Sequence, residues 1–322
     1  MTATILLETL TKSYGKNRGV ADLELEVEPG CVFGFLGPNG AGKTTTIRVL
    51  LDLIRPTSGR ALVFGLDSRR ESMAIRRRSG YLPGELSLYG RLTGDETLRY
   101  FANLRGGVDP SSSRALCERL DFDTGKKVAD LSTGNRRKLG LIQALMHRPE
   151  LLILDEPTGG LDPLVQHEFY HLVEEAREAG QTVFLSSHNL PEVQRVCDRV
   201  AFVREGELVA VEDVAALMGR AVREVEVTFA APVPVAAFEA VQGVTSATAN
   251  GAGSGPAGAR TLRLTVSGSL DATVKLLARY EVVTMTSREP DLEDVFLTFY
   301  GERLDHERRS TSRAGEEAGD AA

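Results

Sequence analysis

A glycine-rich segment that directly follows a short apolar run constrains this 322-residue chain more than any other feature. The apolar run covers residues 31–36, and the segment is Gly37-Pro38-Asn39-Gly40-Ala41-Gly42-Lys43-Thr44, followed by Thr45. The spacing G-x-x-x-x-G-K-T between a strand and a helix is typical of a loop whose backbone N–H groups bind phosphate. A helix that begins near Lys43 adds partial positive charge at the same place. The sequence therefore predicts that residues 37–45 bind a nucleoside triphosphate, with Lys43 at its β- and γ-phosphates and Thr44 as a Mg²⁺ ligand.

Composition and charge narrow the class of protein further. The formal net charge is -7, and an acidic balance argues against bulk nucleic-acid binding, which needs a basic surface. Cys31, Cys117 and Cys197 are odd in number and isolated, so we expect reduced thiols and no disulfide framework. No apolar run approaches the ~18 residues that a membrane span needs. We also expect no signal peptide, because the N-terminus lacks a basic segment followed by an apolar one.

The order of apolar runs predicts an α/β fold with parallel central strands. Thr4–Leu10 and Val20–Val27 have the alternation of half-buried strands. Further strands are expected at residues 31–36, 61–64, 79–82, 151–154, 182–186 and 199–203. Because helical patterns separate these strands, the sheet that they form should be parallel at its centre. Residues 93–148 are almost wholly helical in pattern, which predicts a helical subdomain within a nucleotide-binding domain of residues 1–219.

The pattern changes near residue 220. Alternating apolar residues and two helical stretches predict a small α+β accessory domain over residues 220–301, in the order β-α-β-β-α-β. Within it, helices are expected at 234–241, 270–279 and 291–299, a strand at 281–286, and a flexible loop at Ala249–Ala259. The charged tail, residues 302–322, is predicted to be disordered.

Two further segments carry candidate chemistry. Four apolar residues, 151–154, precede Asp155 and Glu156. A carboxylate at the end of a buried strand can hold Mg²⁺, and the next one can orient or deprotonate a water. The alternative is a strand whose exit turn happens to be acidic. Ser132 and Gly134 precede a helical stretch and predict a second phosphate-binding helix end, although such a segment alone is more often only a capped helix.

Taken together, these motifs resemble those of an ABC-transporter ATPase over roughly residues 3–218. The resemblance rests on the phosphate loop and four later segments: Ser132-Thr133-Gly134, Asp155-Glu156-Pro157, Gly160-Leu161-Asp162-Pro163 and Ser187-His188. The segment LSTGN at 131–135 and the segment PDLEDVFL at 290–297 are similar to those of bacterial drug-exporter subunits of the daunorubicin-resistance type.

The resemblance implies a mechanism and a set of partners. Two cassettes would pair head to tail around ATP, so that Ser132 and Gly134 of one cassette face the phosphate loop of the other. Tyr14 would stack on adenine, Asp162 would lie along the dimer interface, and His188 would contact the γ-phosphate beside Glu156. The resemblance further implies a separately encoded permease that holds the chain at the cytoplasmic face of the membrane. The cassette would hydrolyse ATP to drive export of drugs or other hydrophobic compounds.

Two features depart from this interpretation. The family usually has Gln after Tyr81-Leu82-Pro83, but here Gly84 follows and then Glu85, which puts the metal contact and the coupling to the permease at this loop in question. Residues 167–171 match the zinc-protease pattern H-E-x-x-H, yet no third ligand is evident, and we interpret the match as fortuitous. Two other functions stay open at this level: an ABC ATPase acting on ribosomes or DNA, and a catalytically impaired cassette of a heterodimer.

Overall fold

The computed structural model describes residues 2–15, 17–220, 222–249, 259–288 and 292. The chain forms two compact units, one that ends at Val214 and one that begins at Ala215. The loop, the last helix and the tail that the sequence predicts at Ala249–Ala259, 291–299 and 302–322 fall almost entirely outside the described residues. Within the described residues, no helix is both long and apolar enough to cross a membrane.

An antiparallel sheet opens the first unit. It has the order β2-β1-β4-β5, and its strands are β1 (Ile5–Tyr14), β2 (Asn17–Val27), β4 (Ser58–Val63) and β5 (Leu66–Asp67). The register pairs Ile5 with Val27 on one side and with Val63 on the other. The strand expected at 61–64 thus forms within β4 in this antiparallel sheet, and not in the parallel one, because β1 lies directly beside it.

A parallel sheet forms the centre of the first unit. Its order is β10-β9-β3-β8-β7-β6, and its strands are β3 (Val32–Leu36), β6 (Ser79–Leu82), β7 (Leu151–Asp155), β8 (Thr182–Ser187), β9 (Arg199–Arg204) and β10 (Glu207–Asp213). The strands run parallel except for β10, which pairs antiparallel with β9 at the edge. Every residue of β3, β7 and β8 is buried, as expected for strands covered on both faces. The parallel centre predicted from the sequence is confirmed.

Helices join the strands and form the predicted helical stretch. They are α1 (Lys43–Leu50), α2 (Ser72–Arg78), α3 (Gly94–Leu104), α4 (Pro110–Arg119), α5 (Thr133–Leu145), α6 (Pro163–Glu178), α7 (Leu190–Val196) and α8 (Val214–Arg220). A capping box between Thr93 and Glu96 starts α3, and Asp109 caps α4 before a proline at its first position. A single 3-10 turn, Val128–Asp130, separates α4 from α5.

The second unit has the order β-α-β-β-α-β that the sequence predicts. Its elements are β11 (Val222–Val233), α9 (Val235–Glu239), β12 (Val244–Ala249), β13 (Ala259–Ser267), α10 (Asp271–Leu277) and β14 (Val282–Arg288). The four strands form one antiparallel sheet in the order β12-β13-β11-β14. Alternate residues of β11 and β13 are buried in its core, among them Val225, Val227, Leu262 and Leu264, since antiparallel strands turn one face inward.

Candidate functional site

The phosphate loop curls at the point where β3 gives way to α1. Gly40 and Gly42 have φ of 83° and 100°, a region open mainly to glycine. A Cβ on Gly42 would come within 2.6 Å of the carbonyl oxygen of Gly19 on β2, so any side chain there would displace the loop from the neighbouring strand. The loop therefore has the backbone shape that the sequence predicts for residues 37–42, and Ala41 within it is buried.

Lys43 and Thr44 are the first residues of α1, and both side chains turn into the site. Lys43 is only 5% exposed, and its ammonium donates to the carbonyl oxygens of Gly37 at 2.6 Å and Pro38 at 3.2 Å. The hydroxyl of Thr44 donates to Asp155 Oδ2 at 2.8 Å. A buried ammonium folded back over its own loop lies where it could contact a phosphate group held by the N–H groups of the loop.

Asp155 ends β7 and is almost fully buried, with 1% of its surface exposed. One oxygen accepts from Thr44, and the other accepts from the hydroxyl of Ser186 at the end of the adjacent strand β8. The carboxyl ends of β7 and β8 lie side by side in the parallel sheet, so these oxygens meet at one edge. Hydroxyl and carboxylate oxygens are the ligands that Mg²⁺ prefers, and this donor set fits that ion.

Glu156 lies one residue beyond the strand, in a strained backbone conformation. Its φ is +50°, in the left-handed region that few non-glycine residues adopt, and seven other non-glycine residues among those described share it. Oε1 lies 3.2 Å from Lys43 Nζ, and Oε2 lies 2.7 Å from His188 Nδ1. The carboxylate is thus held between the phosphate-loop lysine and the histidine after β8, which are far apart in the sequence.

His188 follows the end of β8 and reaches the same place from the solvent side. Its side chain is 60% exposed, whereas that of Glu156 is 26% exposed. The contact between the two side chains is short enough for a hydrogen bond from the imidazole to the carboxylate. The structure therefore brings together Lys43, Thr44, Asp155, Glu156 and His188, as the sequence predicts for a triphosphate-hydrolysing centre.

Tyr14 ends β1 beside the start of α1. The ring is 46% exposed, and the Lys12 ammonium lies 5.1 Å from its centroid. A Cβ on Gly19 would come within 3.0 Å of the Tyr14 ring and 3.3 Å of the Thr45 side chain, so Gly19 lies between them. An exposed ring this close to the first turn of α1 is compatible with the predicted contact to a base.

Three predicted residues lie at the starts of helices outside this cluster. Ser132 caps α5 through a hydrogen bond from the N–H of Asn135, at 3.3 Å. Asp162 caps α6 through the N–H of Val165, at 3.0 Å. A Cβ on Gly134 would lie 2.8 Å from the carbonyl oxygen of Gly160, so glycine lets the first turn of α5 approach the segment before α6. Ser132 and Asp162 are exposed, and both helix ends are open to solvent.

Sequence reasoning missed a buried arginine, Arg137, in the first turns of α5. It is 6% exposed, and it donates to the carbonyl oxygens of Pro83 at 2.7 Å, of Gly84 at 3.1 Å and of Glu156. Burial lowers the pKa of its guanidinium, an effect opposed first by Asp155 and then by Glu156 and Glu192. An arginine stays charged at any ordinary pH, so a full positive charge lies close to Asp155 and Glu156.

Sequence reasoning also missed Glu192 in the first turn of α7. It is 2% exposed, and the hydroxyl of Ser187 donates to its Oε2 at 2.5 Å. Burial raises the pKa of this carboxyl, hydrogen bonds from Ser187 and Thr158 oppose the shift, and the charge of Glu156 adds to it. An acidic residue between Leu190 and Val193 is the only signal in the sequence, and it does not by itself separate a buried carboxyl from an exposed one.

The H-E-x-x-H segment lies on α6 and does not form a protease centre. The rings of His167 and His171 are 4.6 Å apart, but His171 pairs with Glu174 at 3.4 Å. Glu168, which would be the general base, is bound to Arg119 at 2.6 Å. No group of three metal-ligating side chains occurs in the described part of the chain. The interpretation of this match as fortuitous agrees with these contacts.

Comparison with known proteins gives consistent matches. A family model described as "ABC transporter" matches residues 20–159. The bacitracin transport ATP-binding protein BcrA of Bacillus licheniformis is 42% identical over 211 residues, which are 65% of this chain and 69% of that protein. The linearmycin resistance ATP-binding protein LnrL of Bacillus subtilis strain 168 is 35% identical over 209 residues, 63% of this chain and 67% of that protein. A solved structure of the ATP binding subunit of an ABC transporter matches with a TM-score of 0.62 and 27% identity, over 66% of this chain and 91% of that one.

The residues that the family model matches include the phosphate loop, Asp155 and Glu156, whereas His188 lies beyond them. The fold, a parallel sheet with an antiparallel sheet and a helical subdomain, agrees with that of the solved ATP-binding subunit. The chain therefore belongs to the ABC transporter family, in which it is an ATP-binding subunit with ATPase activity.

Proposed function

We propose that this chain energises the export of antibiotics or other hydrophobic compounds through a separately encoded membrane permease. Two relatives that are alike over about two thirds of their length are named for bacitracin transport and for linearmycin resistance. The described helices include no membrane span. In this proposal a second chain forms the path across the membrane. In this arrangement the protein associates with the membrane peripherally, through its permease.

The observation that carries the proposal is the cluster of Lys43, Glu156 and His188. Hydrolysis is in-line attack of water on the γ-phosphate, and a positioned acceptor for the water proton accelerates it. Glu156 is that acceptor, because its carboxylate is fixed on one side by Lys43 and on the other by His188. Lys43 stabilises the charge that develops on the phosphate oxygens, and His188 orients the carboxylate and the water.

Thr44 and Asp155 hold the metal in this proposal. Mg²⁺ bound there would neutralise charge on the β- and γ-phosphate oxygens. The two side chains are already in contact, and Ser186 fixes the second oxygen of Asp155. The two side chains are therefore already oriented toward one another, which lowers the cost of placing them around a metal ion.

The second phosphate-binding helix end belongs to the proposal as a contact between two cassettes. Ser132 caps α5 with its hydroxyl exposed, and Gly134 lets that turn pack against Gly160. A helix N-terminus with free N–H groups attracts phosphate oxygens. In a head-to-tail pair, this end of one cassette closes over ATP held by the phosphate loop of the other, with Asp162 at the same interface and Tyr14 against adenine.

Turnover by Glu156→Gln tests the proposal most directly. We expect kcat to fall by about 10³-fold, because the proton acceptor is lost while the binding groups remain. The variant should also accumulate an ATP-bound dimer, measured by light scattering with and without ATP. Glu178→Gln, an exposed residue at the end of α6, makes the same chemical change away from the site and serves as the control.

Equal turnover in wild type and Glu156→Gln would overturn the role of Glu156. A variant that binds ATP tightly but stays monomeric would overturn the two-cassette arrangement. For the permease, co-expression with a neighbouring membrane gene and co-purification in detergent gives the test. Failure to form such a complex, together with full ATPase activity alone, would favour an ATPase that works without a permease.

A further inference from the structure

The guanidinium of Arg137 touches two parts of the site that are distant in the sequence. One nitrogen donates to the carbonyl oxygens of Pro83 at 2.7 Å and Gly84 at 3.1 Å, in the loop that follows β6. The other nitrogen donates to the carbonyl oxygens of Glu156 and, at 3.4 Å, of Asp155. A rigid planar fork therefore fixes the distance between this loop and the catalytic segment.

The loop side of this contact involves no side chain. A Cβ on Gly84 would lie 3.1 Å from Asp155 Oδ2, the oxygen that accepts from Thr44. Any longer side chain at position 84 would thus enter the space beside Asp155. Glycine leaves that space free, and the loop is attached to the site through its backbone carbonyls instead.

The catalytic side of the contact is the strained peptide of Glu156. Its carbonyl oxygen accepts from Arg137 and also from the N–H of Gly159, at 3.3 Å. This carbonyl oxygen belongs to the same residue as the carboxylate, so a donor that holds the carbonyl also limits where the Glu156 side chain can lie. A donor that is both charged and rigid holds the peptide more firmly than a neutral donor would.

Nearby carboxylates compensate the buried positive charge of Arg137. The carboxylates of Asp155, Glu156 and Glu192 all favour the charged form. Buried ionised groups are costly unless opposite charges and hydrogen bonds compensate them, and here both are present, although Nε of Arg137 has no hydrogen-bond partner among the described residues. The neighbouring Arg136 is exposed by contrast, and its guanidinium donates to the carbonyl oxygen of Ala129 at 3.0 Å.

We infer that Arg137 is a positioning residue that couples the loop of residues 83–88 to the carboxylate of Glu156, in place of a side chain at position 84. The inference rests on the proposed role of Glu156 in hydrolysis. When the loop shifts, the arginine moves the Glu156 peptide with it, and the carboxylate changes its position relative to the γ-phosphate. The signal thus passes through backbone carbonyls, which is why Gly84 is compatible with an active enzyme.

Arg137→Gln beside Arg136→Gln tests the inference, since the two variants make the same change at adjacent positions of α5. In Arg137→Gln we expect kcat for ATP hydrolysis to fall by about 10²-fold with KM for ATP changed less than about threefold, because the residue places the carboxylate and does not touch nucleotide. Arg137→Lys should recover part of kcat, since it restores the charge without the fork. Arg136→Gln should leave amide exchange in residues 83–88 and 156–160 at the wild-type rate, since the Arg136 guanidinium donates to the carbonyl oxygen of Ala129 instead.

Amide hydrogen exchange of the full-length protein gives a readout that does not need turnover. In Arg137→Gln, residues 83–88 and 156–160 should together exchange about tenfold faster, because both lose the same charged donor. Exchange in only one of the two segments, or an unchanged kcat in Arg137→Gln, would overturn the inference. An inactive wild type would refute the proposed role of Glu156, while the paired exchange would still report whether Arg137 links the two segments.

Discussion

The two units of the molecule differ most in what they bury. Within the described residues, the buried charged side chains all belong to the first unit, and they are Lys43, Arg137, Lys138, Asp155 and Glu192. The buried polar side chain of the second unit is a single threonine, Thr273. Buried charge costs free energy and persists where the fold compensates it or where chemistry uses it. The contrast therefore marks the first unit as the site of chemistry and the second as a unit held by apolar packing.

Sheet topology explains the contrast. In the parallel sheet, the carboxyl ends of β3, β7 and β8 meet at one edge, so side chains just beyond them converge. In the antiparallel sheet of the second unit, neighbouring strands end on opposite edges, and alternate residues simply face the core. The parallel sheet therefore brings functional side chains together at one edge, whereas the antiparallel sheet spreads its side chains over its two faces.

The largest effect that would sharpen the comparison is expected from Phe238→Ala. Phe238 is fully buried in the second unit, with its ring centroid 5.7 Å from those of Phe229 and Tyr280. Removing it should lower the free energy of unfolding of this unit by about 3–5 kcal/mol. Urea unfolding followed by tyrosine fluorescence measures the loss. ATPase activity at low temperature should stay at the wild-type level, and a parallel fall in kcat would break the comparison.

A smaller, pH-dependent effect is expected in the first unit, at His147. Burial lowers its pKa from 6.5 to about 4, Arg105 adds to the shift, and a hydrogen bond to the carbonyl oxygen of Ser79 opposes it. Between pH 6.5 and about 4, His147 is protonated in the unfolded chain but stays neutral in the folded one. The free energy of unfolding therefore falls as the pH falls toward 4. We expect a loss of about 2–3 kcal/mol, allowing for partial exposure.

Urea unfolding at several pH values between 7.5 and 4.5 measures this dependence. The variant His147→Gln should lose this part of the slope, whereas the exposed His167→Gln should keep it. An equal slope in wild type and His147→Gln would show that other groups dominate acid sensitivity in the first unit.

The smallest effect is expected from Thr273→Val. The Thr273 hydroxyl is buried without a hydrogen-bond partner in the part of the chain that the structure describes, and valine has nearly the same shape. Replacing an unsatisfied buried hydroxyl by a methyl group should raise the stability of the second unit by about 1 kcal/mol. A rise in thermal midpoint with unchanged ATPase activity would sharpen the comparison. A loss of stability would mean that the hydroxyl has a role that packing alone does not explain.

Much of the fold and of the candidate site could be predicted from local sequence patterns. The phosphate loop and the pair Asp155-Glu156 were predictable because their geometry depends on a few adjacent residues. Sheet membership was harder, since the apolar run at 61–64 fits either sheet and only the pairing of β1 with β4 decides. The edge strand β10 was missed, because its residues are half exposed and it carries no strong apolar alternation.

The burial of Arg137 could not be predicted from the sequence. An arginine near the start of an amphipathic helix is ordinarily exposed, and nothing adjacent to it signals burial. Its partners are carbonyl groups 54 and 18 residues away in the sequence. Backbone carbonyls have no sequence identity of their own, so a contact of this kind becomes visible only when the chain is folded.

At position 156, the residue that would stabilise the backbone differs from the residue proposed to act in hydrolysis. A residue at +50° is strained by about 1 kcal/mol or more, and glycine would relieve that strain. If Glu156 has the proposed role, selection of variants for heat resistance alone would enrich glycine at position 156 and return stable proteins that do not hydrolyse ATP. Screens that aim to stabilise this cassette should hold that position fixed, because there the residue best suited to the backbone is not the one that the proposed chemistry requires.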